Sequence, residues 1–365
     1  LEKELCGIWE ETLGVDQIGV QDDFFQNGGS SISAIRMQGK LNEAFGCVVS
    51  LKAVFETKTI RKLVQLVVGD KLDKDEGPKL DLMSEVLAYA DDSSNEKNWS
   101  SKESEIVLLT GATGLLGAYT LYELATSGAK TIHCIVRASN NSQARERILS
   151  KLEECGLESQ GGLLDNIHVW AGDISKPFLG LDQVNHDAIA NQVDTVIHAA
   201  AYVNHMLEYE HHRAGNVVGT KNIIDFCKCM TEKRLAYVSS TSVNPTMNRL
   251  VTETESIDGF AQDITNGYIQ SKWVAEKIVQ KANVPAIILR PGELGCDSKR
   301  KHFWSKTDAL RLCLQMCFDI GSYPVEFKKR SIEFTPTDLA AKSILHVVDT
   351  VQQVEQDKMI VNVTN

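Results

Sequence analysis

The chain has 365 residues, a formal net charge of −11 and a hydrophobic content of 43%. This length is enough for two domains, and the composition is typical of ordinary globular proteins. The negative charge argues against nucleic acid as a partner, because phosphate binding needs clustered Lys and Arg, and no apolar run approaches the roughly 20 residues of a membrane span.

The cysteines and the first residues bear on the cellular compartment. The nine cysteines form no pair of CxxC units, which argues against a metal site. The chain starts with Leu-Glu-Lys-Glu-Leu, without an initiator Met or the apolar core of a signal peptide, so we expect a fragment of a longer polypeptide. Reduced thiols in the cytoplasm are therefore predicted.

Residues 1–70 have the pattern of a small helical domain. Apolar residues recur at helical spacing over 1–13, and further helices are predicted over 31–45 and 60–68, with a short turn near 51–55. A bundle of this length has a small core, so modest stability is expected.

Residues 71–104 are predicted to be a linker that contains one helix. Polar stretches at both of its ends cannot bury enough apolar surface to offset the entropy of ordering. The segment 80–90 between them is apolar enough to form a helix that packs onto the C-terminal domain.

Residues 105–365 alternate between short apolar runs and helical patterns. This alternation predicts a doubly wound parallel sheet of the Rossmann type. The predicted strands are 106–110, 131–136, 167–171, 195–199, 235–239, 286–290 and 359–363.

A Gly-Gly-Ser-Ser segment at 28–31 follows Phe24 and Phe25 and precedes a predicted helix. Serine at a helix start is also an ordinary N-cap. With the surrounding helices, the segment resembles the attachment site of a carrier (thiolation) domain, a four-helix bundle. The resemblance implies that Ser31, rather than Ser30, carries a 4′-phosphopantetheine arm added by a phosphopantetheinyl transferase.

A second glycine motif, Thr-Gly-Ala-Thr-Gly-Leu-Leu-Gly at 110–117, joins a predicted strand to a predicted helix. Glycines at these positions let a pyrophosphate approach the backbone and the helix N-terminus, although a tight turn without ligand has the same pattern. The Gly-x-x-Gly-x-x-Gly spacing resembles extended short-chain dehydrogenase/reductases. The resemblance implies cofactor contacts from Thr110, Gly111, Thr113, Gly114, Leu115 and Gly117.

Arg137 directly follows the second predicted strand, where an NAD enzyme would offer a carboxylate to the ribose. A guanidinium there favours the 2′-phosphate of NADPH. Arg147 is a second candidate phosphate contact, and a solvated surface arginine is an equally good interpretation. By the same family resemblance, further cofactor contacts are expected from Asp173, Ile174, Ala199, Ala200, Asn216, Pro291, Gly292 and Leu294.

Tyr268 and Lys272 are four residues apart on a predicted helix, hence on one face. The spacing predicts that the lysine charge lowers the pKa of the tyrosine, which can then act as an acid. A strand ending in hydroxyl residues lies upstream. The family pattern selects Ser240 there as the group that orients the carbonyl, with Ser239 and Thr241 as close rivals.

Together the two motifs resemble the carrier and terminal thioester reductase of nonribosomal peptide synthetases and of related carboxylate or aminoadipate reductases. The resemblance implies reductive release of an acyl or peptidyl thioester as an aldehyde, with a further step to the alcohol left open. It also implies upstream adenylation and condensation domains as partners, docking of the carrier on the reductase, and a smaller C-terminal substrate-binding part that is partly truncated at Asn365.

Two alternatives remain at this point. One is a domain of the same fold that releases its product by cyclisation, without a redox step. The other is a non-catalytic interaction module that binds a nucleotide. The presence of Ser240, Tyr268 and Lys272 argues against both.

Overall fold

The structure, a computed structural model, divides into two compact units, Leu1–Leu80 and Asp81–Asn365. Among the residues it describes, no helix has both the length and the apolar character needed to cross a bilayer. The described residues are 2–29, 31–45, 57–68, 80–90, 105–127, 131–157, 165–205, 207–244, 251–299, 309–323, 334–351 and 359–364.

The first unit contains the helices Glu2–Leu13, Ser31–Phe45 and Ile60–Val68. Their apolar stripes enclose a core in which Trp9 and Phe24 meet edge to face, with ring centroids 5.0 Å apart. Ser31 is the first residue of the second helix. Ser30 and the predicted turn near 51–55 lie outside the described residues.

The second unit is built on a seven-stranded sheet of order β3-β2-β1-β4-β5-β6-β9, in which every pair is parallel. A separate parallel pair joins β7 and β8. The strands are β1 (Ile106–Thr110), β2 (Thr131–Val136), β3 (Ile167–Ala171), β4 (Thr195–His198), β5 (Arg234–Val238), β6 (Ala286–Pro291), β7 (Glu293–Gly295), β8 (Phe334–Pro336) and β9 (Met359–Val363). The predicted doubly wound parallel sheet is confirmed.

Helices pack on both faces of this sheet, so successive residues of one strand enter different cores. In β1, Leu108 joins one core cluster while Val107 and Leu109 join the other, which explains why the strand is continuously apolar. The described α-helices of this unit are Leu82–Tyr89, Leu115–Thr126, Asn141–Glu154, Gln183–Gln192, Tyr209–His212, Gly219–Lys228, Gly267–Lys281, Ala309–Ile320 and Thr337–Thr350.

The strand order reverses at β1. The chain runs from β1 to β2 and β3 on one side and then returns to β4 on the other side. In such sheets the crevice beyond the carboxyl ends of the central strands is where ligands bind. The topology therefore predicts a ligand-binding site at the loops that follow β1, β2 and β4.

Candidate active site and cofactor cleft

A cleft of about 530 Å³ opens at this edge of the sheet, formed by the segments that follow the first four strands. Residues singled out from the sequence make up half of its lining: Gly111, Thr113, Gly114, Arg137, Arg147, Asp173, Ile174, Ala199 and Ala200. The cleft therefore brings together groups that are separated by up to about ninety residues in the chain, and it does so by the topology of the sheet.

The glycine loop fits a ligand with a phosphate group. Gly111 has φ +83°, and a Cβ there would lie 2.6 Å from the backbone of Ala199 and Ala200. A Cβ on Gly117 would lie 2.0 Å from the Gly111 carbonyl oxygen. Only glycine at position 117 therefore lets the helix pack this closely against the glycine loop. Gly114 is the N-cap and offers no side-chain cap, which leaves backbone N–H groups of the first turn for an anion.

Two arginines lie close to the carboxyl end of β2: Arg137 directly follows the strand, and Arg147 lies on the next helix. Arg137 and Arg147 are both exposed and both line the cleft. Arg147 Nη1 donates a hydrogen bond to the Arg137 carbonyl oxygen, which ties the helix Asn141–Glu154 to the end of the strand. Asp173 also lines the cleft, and its carboxylate accepts hydrogen bonds from the Ser175 amide and hydroxyl, at 3.0 and 2.7 Å.

Most of the cleft wall that follows β4 was not predicted from the sequence. It consists of Ala201, Tyr202, His211, Ala214 and Gly215. The last two belong to a π-helix, Arg213–Val218, whose wider turn has no recognisable periodicity in the sequence. A signal was present in the Gly-Asn pair at 215–216, since glycine marks positions where a ligand or backbone approaches closely.

Asn216 is buried, with only 2% of its surface exposed, and it hydrogen-bonds to Tyr202 of this wall. Its Oδ1 accepts from the Tyr202 amide at 2.7 Å, and its Nδ2 donates to the Tyr202 carbonyl at 3.0 Å and to Ser271 Oγ at 2.9 Å. Asn216 thus links the cleft wall to the helix Gly267–Lys281. The other predicted cofactor residues that do not line the cleft are Thr110, Leu115, Gly117, Pro291, Gly292 and Leu294.

Thr110 illustrates why a motif residue can lie off the cleft. It is fully buried, and its hydroxyl is 2.7 Å from Nδ1 of His198, whose Nε2 is 3.1 Å from the Thr220 hydroxyl. Burial lowers the pKa of His198 to about 3, so this imidazole is neutral. The pair fixes the ends of β1 and β4 and is a structural contact.

The three predicted catalytic residues lie on adjoining elements. Tyr268 is the second residue of the helix Gly267–Lys281, which Asn266 caps by accepting from the Ile269 amide. This helix packs against the turn Thr241–Val243 that follows β5, and Ser240 is the N-cap of that turn.

The rival hydroxyls differ in their surroundings. Ser239 is buried and donates to the Glu276 carboxylate, which also forms a fully buried ion pair with Arg290. Ser240 is half-buried, and its Oγ accepts from the Ser242 amide at 3.1 Å. Ser239 is therefore committed to a buried network, whereas Ser240 and Thr241 both remain candidates.

The predicted lowering of the Tyr268 pKa by Lys272 is wrong. Burial, and next the carboxylate of Glu293, raise the pKa of Tyr268 to about 12. Lys272 is buried, its Nζ donates to the Val238 carbonyl at 2.8 Å and lies 4.4 Å from the ring centroid of Tyr237. Desolvation lowers the pKa of Lys272 to about 7, so its charge is reduced near neutral pH and the desolvation of the phenol dominates.

Comparison with known families identifies both units. Residues 109–344 match the NAD-binding family described as Male sterility protein. Residues 3–67 match the family described as Phosphopantetheine attachment site.

Among curated proteins, the chain is similar to the nonribosomal peptide synthetase asaC of Aspergillus flavus, with 31% identity over 93% of this chain and 35% of that protein. It is also similar to the aldehyde reductase lnbA of the same organism, with 28% identity over 94% of this chain and 36% of that protein. A third relative is the isonitrile lipopeptide synthase of Mycobacterium tuberculosis, with 29% identity over 82% of this chain. The chain spans about a third of the first two relatives and 13% of the third.

Solved structures with a similar fold include domains of nonribosomal peptide synthetases. The terminal R domain of the myxalamid PKS-NRPS pathway superposes with a TM-score of 0.69 and 30% identity, covering 78% of this chain and 72% of that one. A thiolation-reductase di-domain from an archaeal non-ribosomal peptide synthetase shares the fold over 100% of this chain and 78% of that one, with a TM-score of 0.70 and 24% identity. The chain therefore belongs to the NAD-binding male sterility protein family and carries a phosphopantetheine-attachment domain ahead of that region.

Proposed function

We propose that this chain releases an acyl or peptidyl group from its carrier domain by reducing the thioester to an aldehyde with NADPH. The observation that carries the proposal is the packing of the helix with Tyr268 and Lys272 on the turn after Ser240. These three residues do not line the glycine-loop cleft, but Asn216 connects their helix to Tyr202 of the cleft lining by hydrogen bonds. A carrier domain on the same chain supplies a thioester as the natural substrate.

NADPH is proposed over NADH because of the charges at the end of β2. Two exposed arginines, Arg137 and Arg147, line the cleft where a carboxylate would serve the ribose hydroxyls of NADH. Guanidinium groups bind phosphate in a bidentate manner, so they favour the 2′-phosphate. The glycine loop would hold the pyrophosphate through backbone N–H groups.

The residues of the chain have distinct tasks in this proposal. When bound, NADPH would supply a hydride for the carbonyl carbon of the thioester. With a pKa of about 12, the Tyr268 hydroxyl is protonated at neutral pH, which is the form that donates a hydrogen bond to the developing oxyanion. Ser240 donates a second hydrogen bond, and Lys272 positions the cofactor ribose and exchanges protons, with a pKa of about 7.

The reaction balances as one hydride and one proton added per thioester. The carbon–sulfur bond breaks, the thiol of the arm leaves with the proton, and the aldehyde is released. We propose that the arm is attached to Ser31 by a phosphopantetheinyl transferase, and that upstream adenylation and condensation domains in the cytoplasm supply the acyl group.

The test is NADPH consumption by the chain with a series of acyl-pantetheine thioesters, together with identification of the aldehyde by mass spectrometry. Tyr268→Phe should slow the reaction by about 10²–10⁴-fold, because it removes the proton donor and leaves the ring. Tyr122→Phe is the matched control, since Tyr122 is partly buried on the helix Leu115–Thr126 and does not line the cleft.

Two outcomes would contradict the proposal. One is the absence of NADPH consumption by the wild-type chain with every acyl thioester, measured also on a chain extended to the full length of its synthetase. The other is an unchanged rate in Tyr268→Phe.

A further inference from the structure

The helix Leu82–Tyr89, which precedes the first strand of the sheet, makes charged contacts with the segment that leads to the cleft wall. Glu85 Oε2 accepts a hydrogen bond from the Tyr209 hydroxyl at 2.9 Å and another from Arg213 Nε at 2.8 Å. The Glu85 and Arg213 side chains are 21% and 33% exposed, so the ion pair is partly withdrawn from solvent. A pair of this kind is screened less than one on the open surface.

Tyr89 holds the same guanidinium from a second direction. Arg213 Nη2 donates to the Tyr89 hydroxyl at 2.7 Å, and the guanidinium carbon lies 5.5 Å from the centroid of the Tyr89 ring. Glu85 and Tyr89 are four residues apart and share one face of their helix. Arg213 is therefore fixed by two side chains in a defined orientation.

The helix is itself anchored to the core of the second unit. Leu82 is 3% exposed and Val86 is fully buried, and both belong to the same core cluster as Trp273 of the helix Gly267–Lys281. Asp81 caps the helix by accepting from the amides of Met83 and Ser84. The carboxylate of Glu85 thus projects from a supported element.

Arg213 opens the π-helix Arg213–Val218, which reaches both the cleft and the Tyr268 helix. Ala214 and Gly215 line the cleft. Asn216 donates to Ser271 Oγ, and Ser271 Oγ donates to the Tyr268 carbonyl at 2.6 Å.

The start of this segment also contacts the residue before Tyr268. A Cβ on Gly267 would lie 2.4 Å from the Glu208 carbonyl carbon and from the Tyr209 amide nitrogen. Backbone and side-chain contacts therefore connect both ends of the segment 208–216 to the first turns of the Tyr268 helix.

We propose that Glu85, with Tyr89, is a positioning residue of the reductase: it fixes Arg213 and thereby holds the segment 208–216 in register with Tyr268 and the cofactor cleft. This inference rests on the proposed function for its kinetic consequences. It assigns a positioning role in the reductase to the helix Leu82–Tyr89, although the sequence predicts this helix within the linker.

The test compares Glu85→Ala, Glu85→Gln and Arg213→Gln with the wild-type chain. Glu85→Ala and Arg213→Gln should each lower kcat/KM for NADPH about tenfold, and the double variant should be no worse than either, because contacting charged residues couple by about this amount. Glu85→Gln keeps one acceptor and should recover part of the loss. Asp225→Asn is the control, since it removes a surface ion pair in which Lys221 Nζ lies 2.6 Å from Asp225 Oδ1.

Hydrogen exchange provides a readout that does not depend on activity. In Glu85→Ala, amides of 209–218 and of the first turn after Gly267 should exchange faster than in the wild-type chain. The midpoint of global unfolding of Glu85→Ala should equal that of the control Asp225→Asn. If wild type reduces no thioester and these amides still exchange faster, the proposed function fails and the positioning role stands.

Two results would overturn the positioning role. One is unchanged exchange in 209–218 together with unchanged kinetics. The other is an equal rise in exchange across the whole second unit with a lower unfolding midpoint and no recovery in Glu85→Gln, because that pattern describes a general stability contact only.

Discussion

At the scale of single residues, we propose that Arg137 carries the preference for NADPH over NADH. We predict that Arg137→Gln raises KM for NADPH about 10- to 100-fold, the effect of losing one hydrogen-bonded charge pair, and changes KM for NADH little. The measurement is the steady-state KM of both cofactors with one thioester substrate.

Arg145→Gln is the matched control for this change. Arg145 is an exposed arginine on the same helix as Arg147 and does not line the cleft. An unchanged ratio of the two KM values in Arg137→Gln would show that the 2′-phosphate does not contact this side chain.

The residue scale also shows what spacing in the sequence can and cannot predict. The four-residue interval between Tyr268 and Lys272 correctly predicts one helix with both residues. It cannot predict their pKa values, because these depend on burial and on charged groups elsewhere in the chain, such as Glu293, which is 25 residues from Tyr268. Spacing also cannot predict the hydrogen bond of Ser239, because its partner Glu276 is 37 residues away.

At the scale of elements, the buried strands were predictable and the cleft wall was not. Strands covered on both faces are short apolar runs, and β1, β2, β3 and β9 have the predicted bounds. The three-residue strands β7 and β8 are too short for a periodic signal. The π-helix Arg213–Val218 departs from the 3.6-residue period, so the cleft residues Ala214 and Gly215 had no periodic signal. Tyr202 and His211, which lie before this helix, were also missed.

The contact between the Tyr268 helix and the segment before the π-helix yields a prediction for an element. Gly267→Ala would place a methyl group 2.4 Å from backbone atoms of Glu208 and Tyr209, so one of the two elements must move. We expect a loss of about 1–3 kcal/mol in unfolding free energy, as for overpacked cores, and slower NADPH consumption. Denaturant unfolding and the NADPH assay measure the two effects.

Gly259→Ala is the control, because a Cβ there meets no heavy atom within 4 Å. It lies in the same unit, in the short turn Asp258–Asp263. Equal stability of the two variants would mean that the helix start can shift without cost and that the contact does not constrain Tyr268.

At the scale of the whole molecule, two units with separate cores divide the proposed work. The first has a core of small size around Trp9, and the second has two large clusters on either side of the sheet. A carrier domain alone or a nucleotide-binding fold alone is compatible with many functions. Their presence in this order on one chain is what restricts the proposed reaction to a tethered thioester.

The division of work predicts that arm attachment and reduction can be separated by one substitution. Ser31→Ala should abolish the mass increase seen after treatment with coenzyme A and a phosphopantetheinyl transferase, because the attacking hydroxyl is removed. The same variant should still oxidise NADPH with a free acyl-pantetheine thioester, since the second unit is unaltered. Ser30→Ala is the matched control and should accept the arm. A persistent mass increase in Ser31→Ala, lost in Ser30→Ala, would move the attachment site by one residue and contradict the assignment to the first residue of the helix Ser31–Phe45.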